Sequence, residues 1–149
     1  MKITAIIPAY NEGKTVGDVV SVVCGMPEIH EVIVVNDGSQ DNTSSVAREA
    51  GARVIDLEAN RGKGGAIVAG IGETNADIIL LLDADLIGLT RAHVSDLLKS
   101  VVDGEAEMTL GLFSHGRFST DLAQKIAPWL SGQRAIKRDI LEALPELDL

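Results

Sequence analysis

The run Ile78-Ile79-Leu80-Leu81-Leu82 ends abruptly in Asp83-Ala84-Asp85. This junction of a wholly apolar stretch with two carboxylates constrains the fold more than any other feature of the chain. Large consecutive aliphatics bounded by polar residues fit a central strand of a parallel sheet, covered on both faces; a buried helical turn of the same length meets the same pattern. In a strand, residues two apart point the same way. Asp83 and Asp85 would then project together from the strand's carboxyl end, the edge where open α/β sheets place ligands. Two hard oxygen donors so placed suit a Mg²⁺ or Mn²⁺ ion shared with substrate phosphates. The competing reading gives one aspartate to the cap of the next helix and leaves the other solvated.

The preceding sequence supplies the neighbours such a strand needs. Ile3 to Ile7 is mostly apolar and stopped by Pro8, a first buried strand. Val16, Val19, Val20, Val23 and Cys24 recur at helical spacing until Gly25 and Pro27. Val32 to Val35 reads as a second strand running into the turn Asn36-Asp37-Gly38-Ser39, Ser44 to Ala50 as a helix capped by Gly51, and Val54 to Leu57 as a third strand. The loop Glu58 to Gly65 leads into a small-residue helix ending near Thr74. Beyond the aspartates, Thr90 is a suitable N-cap for a helix carrying Val94, Leu97, Leu98, Val101 and Val102, and Glu107 to Leu112 reads as a fifth strand.

Strands alternating with helices predict one α/β domain over residues 1–149, with a mostly parallel sheet, helices on both faces and right-handed crossovers. The loops after strands one to four then share an edge. Topology alone gathers Tyr10, Asn11, Glu12, Asp37, Arg61, Lys63, Asp83 and Asp85 there, which favours a site over solvated aspartates. Farther on, the pattern predicts a helix from Ser119 to Leu130, a turn at Ser131-Gly132-Gln133-Arg134 and a last helix from about Lys137 to Leu144. The closing leucines, Leu144, Leu147 and Leu149, form an apolar stripe with nothing after them. The expectation is a truncated or minimal form that self-associates as a homo-oligomer.

Charge and composition narrow the function classes. With 22 acidic against 13 basic residues the formal charge is −9, which opposes general affinity for nucleic acid or anionic lipid. No aliphatic run approaches the roughly 18 residues of a membrane span, so the expected compartment is the cytoplasm. The single cysteine, Cys24, excludes an internal disulfide, and its place on the apolar helical stripe predicts inert packing. Gly62-x-Gly64 lacks the third glycine of a dinucleotide fingerprint, and Gly65 to Gly70 has the glycine spacing of a P-loop with Ile71-Gly72 where Lys and Ser or Thr are required. His30, His93 and His115 are scattered, no zinc spacing occurs, and no Gly-x-Ser-x-Gly elbow is present. What remains is an acidic, metal-competent edge with a basic loop at Arg61 and Lys63, a combination suited to a diphosphate bridged by a divalent ion that neutralises a leaving group.

Four motifs carry a resemblance: Ile7-Pro8-Ala9-Tyr10-Asn11-Glu12, Val34-Val35-Asn36-Asp37-Gly38-Ser39, Asn60-Arg61-Gly62-Lys63-Gly64 and Leu82-Asp83-Ala84-Asp85. In this order they resemble family 2 glycosyltransferases, and within these the polyprenyl-phosphate sugar synthases such as dolichyl-phosphate mannose synthase. Ser131-Gly132-Gln133-Arg134-Ala135 is similar to the Ser-Gly-x-Arg segment of that branch. The resemblance implies a GT-A, Rossmann-like fold and a transferase moving a sugar from a nucleotide-diphosphate sugar to an acceptor with Mg²⁺ or Mn²⁺. It implies that Pro8, Tyr10 and Glu12 frame the nucleoside, Asp37 bonds the base, and Arg61 and Lys63 lie near the base or diphosphate. Asp83 would approach the ribose or sugar, Asp85 with Asp83 would hold the metal, and Arg134, grouped with both aspartates in catalysis, would face phosphate charge. Asn36 stands where the family commonly has a second aspartate, and Ile87 where the lipid-phosphate branch often has glutamine.

A phosphate acceptor, such as a polyprenyl phosphate presented at a membrane surface to a peripheral enzyme, is favoured over a sugar hydroxyl. A hydroxyl needs a general base, which no motif downstream of Asp85 supplies, whereas Arg117, Arg134, Lys137 and Arg138 offer cations. The alternatives are a nucleotide-sugar-binding module without catalysis and a sugar-phosphate nucleotidyltransferase. The latter calls for a glycine-rich loop after strand one, where Ala9-Tyr10-Asn11-Glu12 stands instead.

Overall fold

The computed structural model of the chain describes residues 1–106, 108–114, 117–119 and 133–143. Within them, strands β1 (Ile3–Ala9), β2 (Glu31–Asn36), β3 (Arg53–Asp56) and β4 (Ile78–Leu81) alternate with helices α1 (Val16–Cys24), α2 (Thr43–Ala50) and α3 (Gly62–Ile71). Helix α4 (Arg91–Val102) leads to β5 (Met108–Ser114) and β6 (Arg117–Ser119); β7 (Gln133–Lys137) and α5 (Arg138–Ala143) follow. The sheet order is β3-β2-β1-β4-β7-β5-β6. β1 to β4 pair in parallel. β7 is antiparallel to both β4 and β5, so β5 runs in the same direction as β4 but is separated from it by the inserted strand.

The central run behaves as a strand buried on both faces. Ile78, Leu80 and Leu82 pack with Val16, Val19, Val23, Ala47, Val94 and Leu97, placing α1, α2 and α4 on one face. Ile79 and Leu81 pack with Ile6, Ile33, Ala66, Ile67 and Leu141, placing α3 and α5 on the other. α3 can lie this close because Gly70 has no side chain: a Cβ there would come within 2.8 Å of Ile6 and 3.1 Å of Val35.

Four expectations need correction. Pro8 does not stop β1, which continues to Ala9 with Pro8 paired to Val35. The β4 ladder beside β1 closes with the Leu82 N–H donating to the Ile6 carbonyl, so the proline ring removes no ladder bond on that side. Cys24 is exposed, not packed, because the buried arc of α1 is Val16, Val19, Val20 and Val23. Gln133 and Arg134, expected in a turn, belong to β7, and the last helix starts at Arg138. Ser119 closes β6, not a helix; the rest of the helix expected to Leu130, with Ser131, Gly132 and the terminal leucines, lies outside the described residues.

Asn36 has a structural explanation. Its buried amide donates to the Asp56 carboxylate at 2.9 Å and its oxygen accepts the Ser39 N–H at 3.1 Å. That amide, followed by the Arg48 guanidinium, holds the Asp56 carboxyl below its usual range. A second aspartate at 36 would place two carboxylates against each other.

Candidate active site

The carboxyl ends of β1, β2, β3 and β4 open into a cavity of ≈ 440 Å³. Pro8, Ala9, Tyr10 and Glu12 line it from the first loop, Asp37 from the second, Asn60, Gly62 and Lys63 from the third, and Asp83, Ala84 and Asp85 from the fourth. Seven of the expected site residues thus meet in one place. Arg61 and Arg134 do not line the cavity. Arg61 is the N-cap of α3 and contributes its backbone, whose N–H donates to the Asp37 carboxylate at 2.7 Å. Arg134 lies buried on β7 opposite Leu81. Burial lowers its guanidinium pKa and the nearby Asp83 charge opposes that lowering.

Each loop is held by bonds the residue types make natural. Asp37 is only 4% exposed; its N–H donates to the Ala9 carbonyl at 2.8 Å and its carbonyl accepts the Asn60 amide at 3.2 Å. Gly38 turns the chain away with φ +77°, where a Cβ would stand 3.0 Å from the Asn60 backbone nitrogen. Asn11, left-handed at φ 53°, joins the first two loops: its N–H donates to Ser39 Oγ at 2.8 Å and its side-chain oxygen accepts the Gln40 N–H at 2.8 Å. Glu12 N–H donates to the buried Thr43 hydroxyl at 2.9 Å, and Thr43 in turn donates to Asp41.

The aspartate pair is organised differently from its sequence expectation. β4 ends at Leu81, and Ala84-Asp85 form a turn, so period-two projection does not apply. Thr15 Oγ1 donates to the Ala84 carbonyl at 2.8 Å and fixes that turn. Asp83 has both oxygens engaged: Oδ1 accepts from Lys63 Nζ at 2.6 Å and Oδ2 from Gln133 Nε2 at 2.7 Å. Asp85 is exposed, and its carboxylate accepts no hydrogen bond from another described residue. Glu12 has its pKa raised by burial first and the Asp85 charge second, with Asp41 and Asp83 adding to it against the Thr15 hydroxyl. The cavity therefore holds crowded negative charge. Thr15, Asn60 and Gln133 were not expected at the site; Asn60 and Gln133 lay within quoted motifs, whereas nothing in the sequence marks Thr15.

The further cations divide by position. Lys137 pairs with Ile78, at the end of β4 remote from Asp83. Arg138 donates to the Thr74 and Ile71 carbonyls at the end of α3 and pairs with Glu142. Arg117 lies on β6, paired with Ser114.

An open parallel half-sheet whose carboxyl edge carries a cavity lined by carboxylates and a lysine defines an α/β domain with its ligand site at that edge. The chain belongs to glycosyl transferase family 2, whose model matches residues 4–143. It is 38% identical over 91 residues to poly-beta-1,6-N-acetyl-D-glucosamine synthase of Staphylococcus epidermidis, covering 57% of this chain and 22% of that protein. Over 90 residues it is 38% identical to the synthase of the same name from Staphylococcus aureus strain COL, again covering 22% of it. Among solved structures, glucosyl-3-phosphoglycerate synthase of Mycobacterium tuberculosis superposes with TM-score 0.80 at 27% identity, covering 97% of this chain and 60% of that one. Its complex with Mn²⁺, UDP-glucose and phosphoglyceric acid superposes with TM-score 0.79 at 28% identity, with 97% and 59% covered. The chain thus spans about a fifth of its curated relatives and three fifths of these solved neighbours. No helix among the described residues is long and apolar enough to cross a membrane.

Proposed function

We propose that this domain binds a nucleotide-diphosphate sugar with a divalent cation and transfers the sugar to a phosphate-bearing acceptor, such as a polyprenyl phosphate at a membrane surface. The observation that carries the reading is the convergence of Glu12, Asp37, Lys63, Asp83 and Asp85 on one cavity at the carboxyl edge of the sheet. The family assignment and neighbours holding UDP-glucose with Mn²⁺ support it.

The residues present fit a Mg²⁺ or Mn²⁺ ion. Asp85 is a hard oxygen donor open to the cavity, and of the causes that raise the Glu12 pKa, burial first and the Asp85 charge second, the second is one a dication relieves. No three His, Cys, Asp or Glu side chains among the described residues already form a cation cage. Ligand phosphates and water therefore complete the coordination, the usual mode for Mg²⁺. Asp85 would be the leading ligand; Asp83, whose two oxygens each already accept one bond, from Lys63 and from Gln133, would be the less available one. When bound, the ion offsets diphosphate charge in the leaving group.

The chain's own groups then have distinct tasks. Tyr10 and Pro8 give the nucleoside an apolar wall, and Asp37, held by the Arg61 N–H, offers the base its remaining oxygen. Lys63 turns from Asp83 to the diphosphate, with Arg61 close by at the same helix start. Asp83 faces the ribose or sugar. Arg134 is the one cation of the four proposed for the acceptor placed at the Asp83 end of β7, and its charge suits a phosphate oxygen that is already ionised and needs no general base. The Mycobacterium tuberculosis neighbour's complex with phosphoglyceric acid supports a phosphate-bearing acceptor.

The test supplies Mn²⁺ and labelled UDP-, GDP- or dTDP-sugar, with undecaprenyl or dolichyl phosphate competing against a soluble sugar acceptor. Transfer to the lipid phosphate, lost in Arg134→Ala, is expected. Transfer only to the hydroxyl acceptor, undiminished by that substitution, sinks the phosphate-acceptor reading. Donor bound and never transferred favours the non-catalytic module.

A further inference from the structure

We propose that Gln133 is a positioning residue that holds Asp83 for donor binding, an inference that rests on the nucleotide-sugar reading of the cavity. Asp83 lies two residues past the end of β4, so no strand ladder orients it. Its carboxylate is held from two elements instead: Lys63 of α3 at Oδ1 and Gln133 of β7 at Oδ2, at 2.6 and 2.7 Å. The two holds differ in kind. Lys63 is a cavity-lining side chain, 40% exposed, and can turn to a diphosphate. Gln133 is 5% exposed and sits one residue beyond the last β4 pair, Leu81 with Arg134, on a strand bonded on both sides.

A buried neutral donor is suited to this task. It satisfies a carboxylate oxygen without cancelling the charge, and a short bond from a buried side chain on a paired strand restricts the carboxylate's rotation whether or not Lys63 is also bound. When Lys63 leaves for the donor, Gln133 remains. It also explains why a polar side chain tolerates burial beside β4: its amide is partnered by Asp83. The neighbouring strand position, Arg134, answers to the same carboxylate by charge, so β7 brings two successive residues to bear on Asp83.

The test measures binding of UDP-, GDP- and dTDP-glucose with Mn²⁺ by calorimetry to the 149-residue chain, to Gln133→Met, to Asp83→Ala and to the double variant. Methionine keeps the shape and loses the amide. About a tenfold loss of affinity is expected for Q133M, the scale of one charge-assisted hydrogen bond, and no further loss when Asp83 is already alanine. An equal loss in both backgrounds overturns the proposal, because a packing defect does not depend on Asp83; unchanged affinity in Q133M overturns it also. If no nucleotide sugar binds the unaltered chain, the functional reading fails and takes this role with it, an outcome distinct from the other two. A second readout needs no Gln133 variant: the Gln133 side-chain amide proton should shift upfield in Asp83→Ala by NMR, and a resonance that does not move also overturns the assignment.

Discussion

Asp83 and Asp85 are two residues apart and differ in every physical respect that matters for binding. Asp83 is partnered at both oxygens, whereas Asp85 is exposed and is felt by Glu12 as an unshielded charge. Asp85→Ala should therefore weaken Mn²⁺-dependent nucleotide-sugar binding most among the carboxylates, by about 10²-fold for loss of a charge-assisted ligand; calorimetry showing no change removes Asp85 from the metal. Glu12 allows a pH test. Its pKa is raised in the folded chain, so the ionised carboxylate costs stability at neutral pH, and that cost fades as pH falls through the raised value. Glu12→Gln should raise Tm at pH 7 and lose this advantage in acid. A gain that persists unchanged at low pH would show that burial and Asp85 are not its cause.

At the scale of elements, α3 is the least conventional helix. It carries four glycines, Gly62, Gly64, Gly65 and Gly70, which weaken it intrinsically, and it packs its small face on β1 and β2. Gly70→Ala should gain helix propensity and still destabilise the fold by about 1–3 kcal/mol, because the new methyl overlaps Ile6 and Val35, which are fully buried and have nowhere to move. Chemical denaturation measures the sign; a stabilised variant would mean that α3 rides farther from the sheet. α3's position has a functional consequence, since its first turn carries Lys63 into the cavity. β7 is the other element whose placement matters. Its sequence, Gln133-Arg134-Ala135-Ile136-Lys137, has two apolar residues and no pattern that separates it from a turn followed by a helix. It is a strand because β4 and β5 both present open edges to it, and because Asp83 accepts a bond from Gln133 and its charge favours the buried Arg134 cation.

For the whole molecule, the cavity's charge predicts linkage. Glu12, Asp37, Asp83 and Asp85 face it against one lysine, so a diphosphate meets repulsion until a dication accompanies it. A nucleotide sugar at about 100 times its Kd should stabilise the chain by about 2.7 kcal/mol, on the order of 5–10 °C in Tm, with Mn²⁺ present and not in excess chelator. An equal shift in chelator would refute the metal requirement. By itself the sequence determined the alternation of strands and helices through a fifth strand, expected over Glu107 to Leu112 and found at Met108–Ser114, and the sharing of one edge by four loops. Both follow from local periodicity and from the single handedness open to parallel crossovers. It thereby brought seven expected residues to the cavity. Only the tertiary structure decided that β7 enters between β4 and β5, that Arg138 and Lys137 lie at the end of β4 remote from Asp83 while Arg134 lies at the near end, and that Gln133 bonds Asp83 and Thr15 fixes the turn beside it. These depend on which edge a weakly patterned strand completes and which buried polar groups it satisfies, quantities set by partners distant in sequence: 50 residues from Asp83 to Gln133 and 69 from Thr15 to Ala84.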